Sequence, residues 1–243
     1  MPGIIIEEVK KMARSPGRII EVFRPRRWRQ FFSILFFKRT HWKTAPGQAQ
    51  FKQREYSSYE QYVAHQQSKF QYLDLTEYDA VFRRALKARL QNLAELKPNA
   101  AVLCLGARQG TEVKAFLDLD CSAIGIDLNP GADNKLVLQG DFHDLQFPEN
   151  SMDVIFTNSF DHTFDPEKML REIMRVLKPG GLFIAEAMTG EAEGTSPDHY
   201  ASFWWKSVDD LAALIAAKGF TIVRRVSFDQ PWRGEQIVFR LAK

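Results

Sequence analysis

Beyond Pro98 the chain settles into an alternation that few architectures can satisfy. Short apolar runs recur at AVLCL (101–105), SAIGID (122–127), KLVLQG (135–140), MDVIFTN (152–158) and LFIAEA (182–187). Helical patterning separates or follows them at 110–118, at PEKMLREIMRVLK (166–178), closed by Pro179-Gly180-Gly181, and at VDDLAALIAAK (208–218). Apolar runs of this length fit strands buried on both faces, and strands that alternate with helices pair in parallel. The last two runs, FTIVRRVSF (220–228) and EQIVFRLA (235–242), are joined by little more than a turn around Pro231 and Gly234, so they should form an antiparallel hairpin. The predicted class is α/β: a doubly wound, mostly parallel seven-stranded sheet with an antiparallel last strand.

The first 97 residues follow another rhythm. At 243 residues the chain has room for one α/β domain and an appendage, and its 45% apolar and 26% charged content is that of a globular protein. Residues 56–97 read as a helical lead-in or cap before a domain at 98–243, with helix-forming patterning from 58 to 96. Residues 1–55 read as a basic, aromatic N-terminal extension with helical stretches, and APGQAQ (45–50) as a loop within it. This extension holds 13 Lys/Arg against 4 Asp/Glu, whereas the remainder holds 20 against 26. Such asymmetry is a partner signal. Trp28, Phe31, Phe32, Leu35 and Phe36 fall on one helical face among arginines. The 24–39 segment therefore allows packing on the domain or on a second copy in a homo-oligomer, peripheral contact with a membrane, or, less readily, contact with nucleic acid.

No apolar run approaches the roughly 20 residues of a membrane span. The N-terminus lacks a signal-peptide layout, and Cys104 and Cys121 form no CxxC or Cys/His cluster. The expectation is a cytoplasmic protein, free or peripheral at the inner membrane surface, with no metal site.

In a doubly wound sheet the ligand lies beyond the carboxyl ends of the strands. After the first strand come Gly106, Ala107, Arg108, Gln109 and Gly110, where Gly106 permits a tight turn and Gly110 opens a helix whose free N–H groups attract negative charge. The second strand ends at Asp127, 21 residues beyond Gly106, placed to accept hydrogen bonds from ribose hydroxyls or, alternatively, simply to form a turn with Asn129-Pro130-Gly131. After the third strand, Asp141 is placed for an adenine amine and Phe142 for an apolar wall.

From about 98 to 187 the chain resembles the class I S-adenosylmethionine-dependent methyltransferases, in the group with a methyltransferase-type-11 domain. The resemblance rests on VLCLGARQG, AIGIDLNP, LQGDFHDLQFPENSMDVIFTNSFDHTFDP and REIMRVLKPGGLFIAEA. It implies a Rossmann-like fold and S-adenosylmethionine as cofactor. By that resemblance Gly106, Ala107, Gly110 and Leu128 line the cofactor, Asp127 holds the ribose, Asp141 with Phe142 frames adenine, and Asn158 with Ser159 lies near the sulfonium and the substrate. The chain departs from the pattern at Cys104, where an acid is usual, and at Arg108, where glycine is usual. Either Arg108 faces the methionine carboxylate and Glu112 replaces the missing acid, or both side chains point to solvent.

Methyl transfer needs alignment and, for a hydroxyl acceptor, a base. His162 is the leading base, with Asp161 or Asp165 to orient it, although in this family the equivalent histidine also serves to pack the loop. His199, Tyr200, Trp204 and Trp205 lie in the long segment 189–205, read as a loop that grips the acceptor. His143 reads as a loop residue. The expected activity is transfer to a small-molecule, sugar or lipid-linked acceptor, most plausibly at oxygen. The alternatives are an RNA or protein methyltransferase using the basic extension and a cofactor-binding partner without turnover.

Overall fold

The computed structural model describes residues 42–45, 48–68 and 76–242. Strands β3 (Ala101–Leu105), β4 (Ser122–Asp127), β5 (Val137–Gln139), β6 (Met152–Thr157), β7 (Leu177–Met188), β9 (Phe220–Phe228) and β10 (Gly234–Leu241) form one sheet. Its order is β5-β4-β3-β6-β7-β10-β9. β3 pairs in parallel with β4 on one side and with β6 on the other, so strand order reverses at β3. β10 runs antiparallel to both β7 and β9, as the hairpin requires. The expected sheet is present in full, with helices on both faces.

One face buries Leu103, Leu105, Ile155 and Phe183 against helices α4 (Pro166–Val176) and α5 (Val208–Ala216). The other buries Val102, Cys104, Phe156 and Ile184 against α2 (Thr76–Gln91) and α3 (Thr111–Leu117). Alternation of side chains along β3 sends Cys104 to the second face, where it is fully buried. α4 begins where the sequence predicts: Pro166 takes the first helical position and the Asp165 carboxylate accepts the Lys168 N–H at 2.9 Å. It buries Met169, Leu170, Ile173 and Val176.

Three local expectations need correction. Helix α4 stops at Val176, and the chain turns at Leu177 directly into β7, so Pro179-Gly180-Gly181 lies within that strand, with Gly180 at φ +76°. The helical lead-in, by contrast, is present as expected, in two helices, α1 (Tyr59–Gln67) and α2. The supposed loop at 45–50 is the connection of a β-hairpin, β1 (Trp42–Ala45) with β2 (Gln48–Arg54). β2 also pairs with β8 (Phe203–Trp205), a strand inside the 189–205 segment read as a loop, and this makes a second, three-stranded sheet. The helix expected at 27–38 lies outside the described residues. Among the described residues no helix is long and apolar enough to cross a membrane.

α2 is fastened to the sheet by charge as well as by Phe82, Leu86 and Leu90. Arg89 holds Glu186 of β7 in a two-pronged pair at 2.7 and 2.8 Å, and Gln236 of β10 donates to the same carboxylate at 2.9 Å. The Glu186 side chain is wholly buried and that of Arg89 nearly so. Burial pushes the Glu186 carboxyl above its ordinary range, and Arg89 opposes that rise. Such a pair contributes little against an apolar replacement of both partners, but removing one leaves an uncompensated charge. Arg89→Met should therefore destabilise the chain by about 3–5 kcal/mol in urea unfolding, and Arg89→Met with Glu186→Leu should recover most of the loss.

Candidate functional site

The loop after β3 runs through three left-handed residues. Gly106 has φ +68°, Arg108 +46° and Gly110 +89°. A Cβ at Gly106 would meet the Ser159 Cβ at 2.8 Å, and one at Gly110 would meet Leu136 at 3.1 Å. Both glycines thus serve close backbone packing as well as conformation. The loop is closed by Asp127 at the tip of β4, whose Oδ2 accepts the Arg108 N–H at 3.0 Å and whose Oδ1 accepts the Asn129 N–H at 2.8 Å.

Four strand tips open onto one cleft. It takes Gly106 and Arg108 from the β3 tip, Asp127 and Leu128 from β4, Gly140 and Phe142 from β5, and Asn158, Ser159, Asp161 and His162 from β6. These lie beside the point where strand order reverses, where a ligand is expected. Ala107 is buried beneath the loop, and Gly110 faces Leu136 and Val137. Neither lines the cleft.

Glu112 is also absent from the lining, yet it lies directly behind it. In the first turn of α3 it is almost completely buried, and its Oε1 accepts a hydrogen bond from Asn158 Nδ2 at 3.2 Å. Its Oε2 has no hydrogen-bond partner. Burial raises its carboxyl to about 7, with Arg108 acting in the opposite direction. Its charge is felt at Cys104, whose thiol is pushed well above the ordinary range by burial first and Glu112 second. The acid that position 104 lacks is therefore supplied from helix α3 into the same neighbourhood.

Arg108 points neither to solvent nor to open space. It pairs with Asp79 of α2 at 3.1 Å and lies 5.7 Å from the centre of the Tyr78 ring.

Asp141 is committed elsewhere than the cleft. Its carboxylate accepts the Tyr59 hydroxyl, the His143 N–H at 2.8 Å and His143 Nδ1 at 2.8 Å. Burial opposes ionisation, but the hydrogen bonds from His143 and Tyr59 outweigh it and hold the carboxyl below its usual range. His143 Nε2 accepts the N–H groups of Phe164 and Asp165, each at 3.2 Å, so its proton resides on Nδ1. His143 is a buried tie between the β5 and β6 tips.

His162 Nδ1 donates to the Tyr200 carbonyl at 3.0 Å, which leaves the Nε2 lone pair as the basic position. The orienting group is thus a carbonyl. Asp161 Oδ1 lies 3.9 Å from Nε2, beyond hydrogen-bond length, and Asp165 caps α4. Tyr200 O also accepts from Gln66 Nε2 at 2.8 Å.

Residues 103–185 match the family model described as a methyltransferase domain. Over that stretch, about a third of the chain, the sequence is similar to a methyltransferase domain. A sterol 24-C-methyltransferase of Aspergillus fumigatus is 30% identical over 122 residues, 43% of this chain and 32% of the relative. An uncharacterized methyltransferase of Bacillus subtilis is 32% identical over 105 residues, 37% of this chain and 42% of that protein. The chain spans well under half the length of these curated relatives. The solved 1,6-didemethyltoxoflavin-N1-methyltransferase of Burkholderia thailandensis, with bound 1,6-didemethyltoxoflavin and S-adenosylhomocysteine, superposes at a TM-score of 0.63 with 19% identity over 81% of this chain and 98% of that one. A SAM-dependent methyltransferase of Aquifex aeolicus gives 0.55 and 17% over 70% and 94%. These structural likenesses establish the fold.

The chemistry of the site fits S-adenosylmethionine, the cofactor that the resemblance implies. A buried carboxylate oxygen without a partner suits an ammonium, and the Asp127 oxygens retain lone pairs toward the cleft for hydroxyls. Among the described residues no cluster of His, Cys, Asp and Glu could hold a metal. The sequence reading gave no role to Glu186, inside LFIAEA, and missed the walls that come from outside the domain's motifs: Tyr62 and Gln66 of α1, Tyr78 of α2, Met188 of β7, and Trp232. No local pattern marks them, because each reaches the cleft only through tertiary packing.

Glu112 gives the domain a pH signature. An unfolded glutamate ionises near 4.5 and this one near 7, so between those values the folded chain holds a proton the unfolded chain has lost. Its contribution to stability is present below pH 4.5 and is lost as pH rises through about 7. Urea unfolding at pH 5 and pH 8 should show Glu112→Gln gaining stability relative to the parent at the higher pH. Parallel profiles would remove the buried-acid assignment.

Proposed function

We propose that the chain transfers the methyl group of S-adenosylmethionine to an oxygen of a small-molecule, sugar or lipid-linked acceptor, with His162 as the base. The observation that carries the reading is the convergence of four strand tips, with Asp127, Asn158 and His162, on one cleft backed by the unpartnered oxygen of Glu112. When bound, the cofactor supplies a methyl group already activated on a sulfonium. Asp127 would accept the ribose hydroxyls, and Glu112 with Asn158 would receive the ammonium. Leu128 and Phe142 would provide apolar walls for the base, while Asp141 acts indirectly by fixing Tyr59 and His143. Ser159, packed on Gly106, sets the floor near the reacting centre.

The acceptor half of the cleft is walled by Tyr78, Trp205 and Trp232, with Asp161, Glu186 and Asp198 among its polar groups. Flat apolar walls suit a ring or a lipid-linked acceptor. The carboxylates disfavour an anionic one. His162 Nε2, with its tautomer set by the Tyr200 carbonyl, would take the hydroxyl proton as the oxygen attacks the methyl group. Residues 24–39 would assist by docking on the domain, a second copy or a membrane surface that delivers the acceptor.

Calorimetry with S-adenosylmethionine tests the cofactor reading, and failure to bind would favour a protein that has lost the activity. Transfer of labelled methyl groups to an acceptor panel tests turnover. Once an acceptor is found, His162→Ala should lower kcat by about 10²–10⁴-fold with little change in cofactor affinity. An unaltered rate would reduce His162 to a packing role. Steep salt dependence of acceptor binding would instead support an RNA acceptor gripped by the basic extension.

A further inference from the structure

Helix α1 lies outside the matched domain, yet it is strapped across two of the domain's strand tips. Its first residue, Tyr59, donates to Asp141 beyond β5. At its other end Gln67 Nε2 donates to the Leu128 carbonyl at 3.3 Å, and Asn129 Nδ2 returns a bond to the Gln67 carbonyl at 3.4 Å. Between these straps sits Tyr62, whose side chain has no solvent exposure and nevertheless lines the cleft together with Asp127, Leu128, Gly140 and Phe142. Its ring is fixed by Tyr59 and Phe164, at centroid distances of 5.3 and 5.2 Å.

Among the described residues the Tyr62 hydroxyl has no hydrogen-bond partner. Buried phenols almost always find one, and an unmet hydroxyl costs the folded state its lost hydration. Burial first, then the carboxylates of Asp141 and Asp127, keep its proton in place. It is therefore a fixed donor on a residue that lines the cleft, within electrostatic reach of Asp127. Leu128 and Phe142 line the same cleft and offer the apolar contact that a flat base requires.

We infer that Tyr62 is a cofactor-binding residue, and that its hydroxyl donates to an oxygen or ring nitrogen of the adenosyl half, so that α1 closes the nucleoside pocket. This rests on the S-adenosylmethionine reading above. It gives the Tyr59–Asp141 contact a purpose: the acid beyond β5 anchors the helix that carries the ligand donor. Adenine recognition is thus relayed from Asp141 to Tyr62.

Tyr62→Phe removes the hydroxyl and keeps the ring. Titration calorimetry of the full-length chain with S-adenosylhomocysteine, and separately with adenosine, should show both affinities falling by the same factor, about three- to tenfold. The melting temperature of the ligand-free variant should be unchanged or higher, because an unmet polar group has been removed. Unchanged affinities would overturn the inference, as would a loss confined to S-adenosylhomocysteine, which would place the hydroxyl at the amino-acid end. A weakened fold accompanying the affinity loss would assign Tyr62 a structural role and also overturn it. A parent protein that binds neither compound would bring down the cofactor reading itself, whereas parent binding untouched by Tyr62→Phe brings down the inference alone.

Discussion

The double acceptance by Asp127 organises the ligand end of the sheet. A strand that turns at once into a helix leaves N–H groups without partners, and the β3 loop compounds this with three left-handed residues in five positions. The Asp127 carboxylate satisfies the Arg108 N–H from one oxygen and the Asn129 N–H from the other. That ties the β3 and β4 tips together and sets the direction in which α3 leaves. Glu112, one turn into that helix, is thereby brought behind Asn158. A single carboxylate thus fixes the loop and the start of the helix that carries the buried acid, while it lines the cleft.

A second network supports the His162 side of the cleft. Tyr56 OH lies 2.8 Å from His65 Nδ1 and 2.6 Å from Ser202 Oγ, and Gln66 reaches both Ser202 Oγ and the Tyr200 carbonyl. That carbonyl receives His162 Nδ1. Arg54 of β2 adds a bond from Nε to the Ala201 carbonyl at 2.7 Å, and β2 pairs with β8 through three residues of each. Burial, with Arg54 nearby, pushes His65 down to about 3, so this histidine is a neutral structural member. The segment from 48 to 68 and the segment from 198 to 205 therefore form one support for the His162 ring. Fixing a side chain through neighbours that are themselves fixed is how a site avoids reorganising when it works.

The central fold was legible because its physics is local and repetitive. Fully buried parallel strands must read as apolar runs, and amphipathic helices must read at helical spacing. The link between LQFPENS and REIMRVL, visible only as family order, has a mechanical basis: Arg175 donates to the Leu145 and Phe147 carbonyls, while Glu172 accepts the Leu145 N–H. The small sheet was illegible for the opposite reason. β8 is three residues long, and β1 and β2 alternate too little to show their pairing. Asp127 reaches the cleft from the β4 tip, as its position suggested, and also closes the turn through the Asn129 N–H. Asp141 does not line it, because His143 and Tyr59 claim its carboxylate, and Tyr59 lies 82 residues earlier in the chain. Glu112 could be singled out from a missing acid at 104, but its burial belongs to packing alone.

Arg108 shows how a loop can keep its shape while its chemistry changes. A backbone at φ +46° is where glycine is ordinarily used, and a side chain there costs about 1–2 kcal/mol. The loop retains a glycine's conformation at this position, so the cost is carried in the folded state. Two contacts offset it: the part-buried pair with Asp79 and the approach to the Tyr78 ring. Both partners belong to α2, which precedes the matched domain, so the arginine exchanges local ease for a link between the cofactor loop and that helix. Arg89 makes a corresponding link at the far end of the same helix, through Glu186. α2 is thus held toward both ends by arginine–carboxylate pairs that border the cleft, and Tyr78 reaches the cleft from beside the first of them. While Asp79 holds Arg108, the guanidinium is not available to a ligand carboxylate. On the proposed reading, the amino-acid end would then fall to Glu112 and Asn158, with Arg108 bound into the wall beside them.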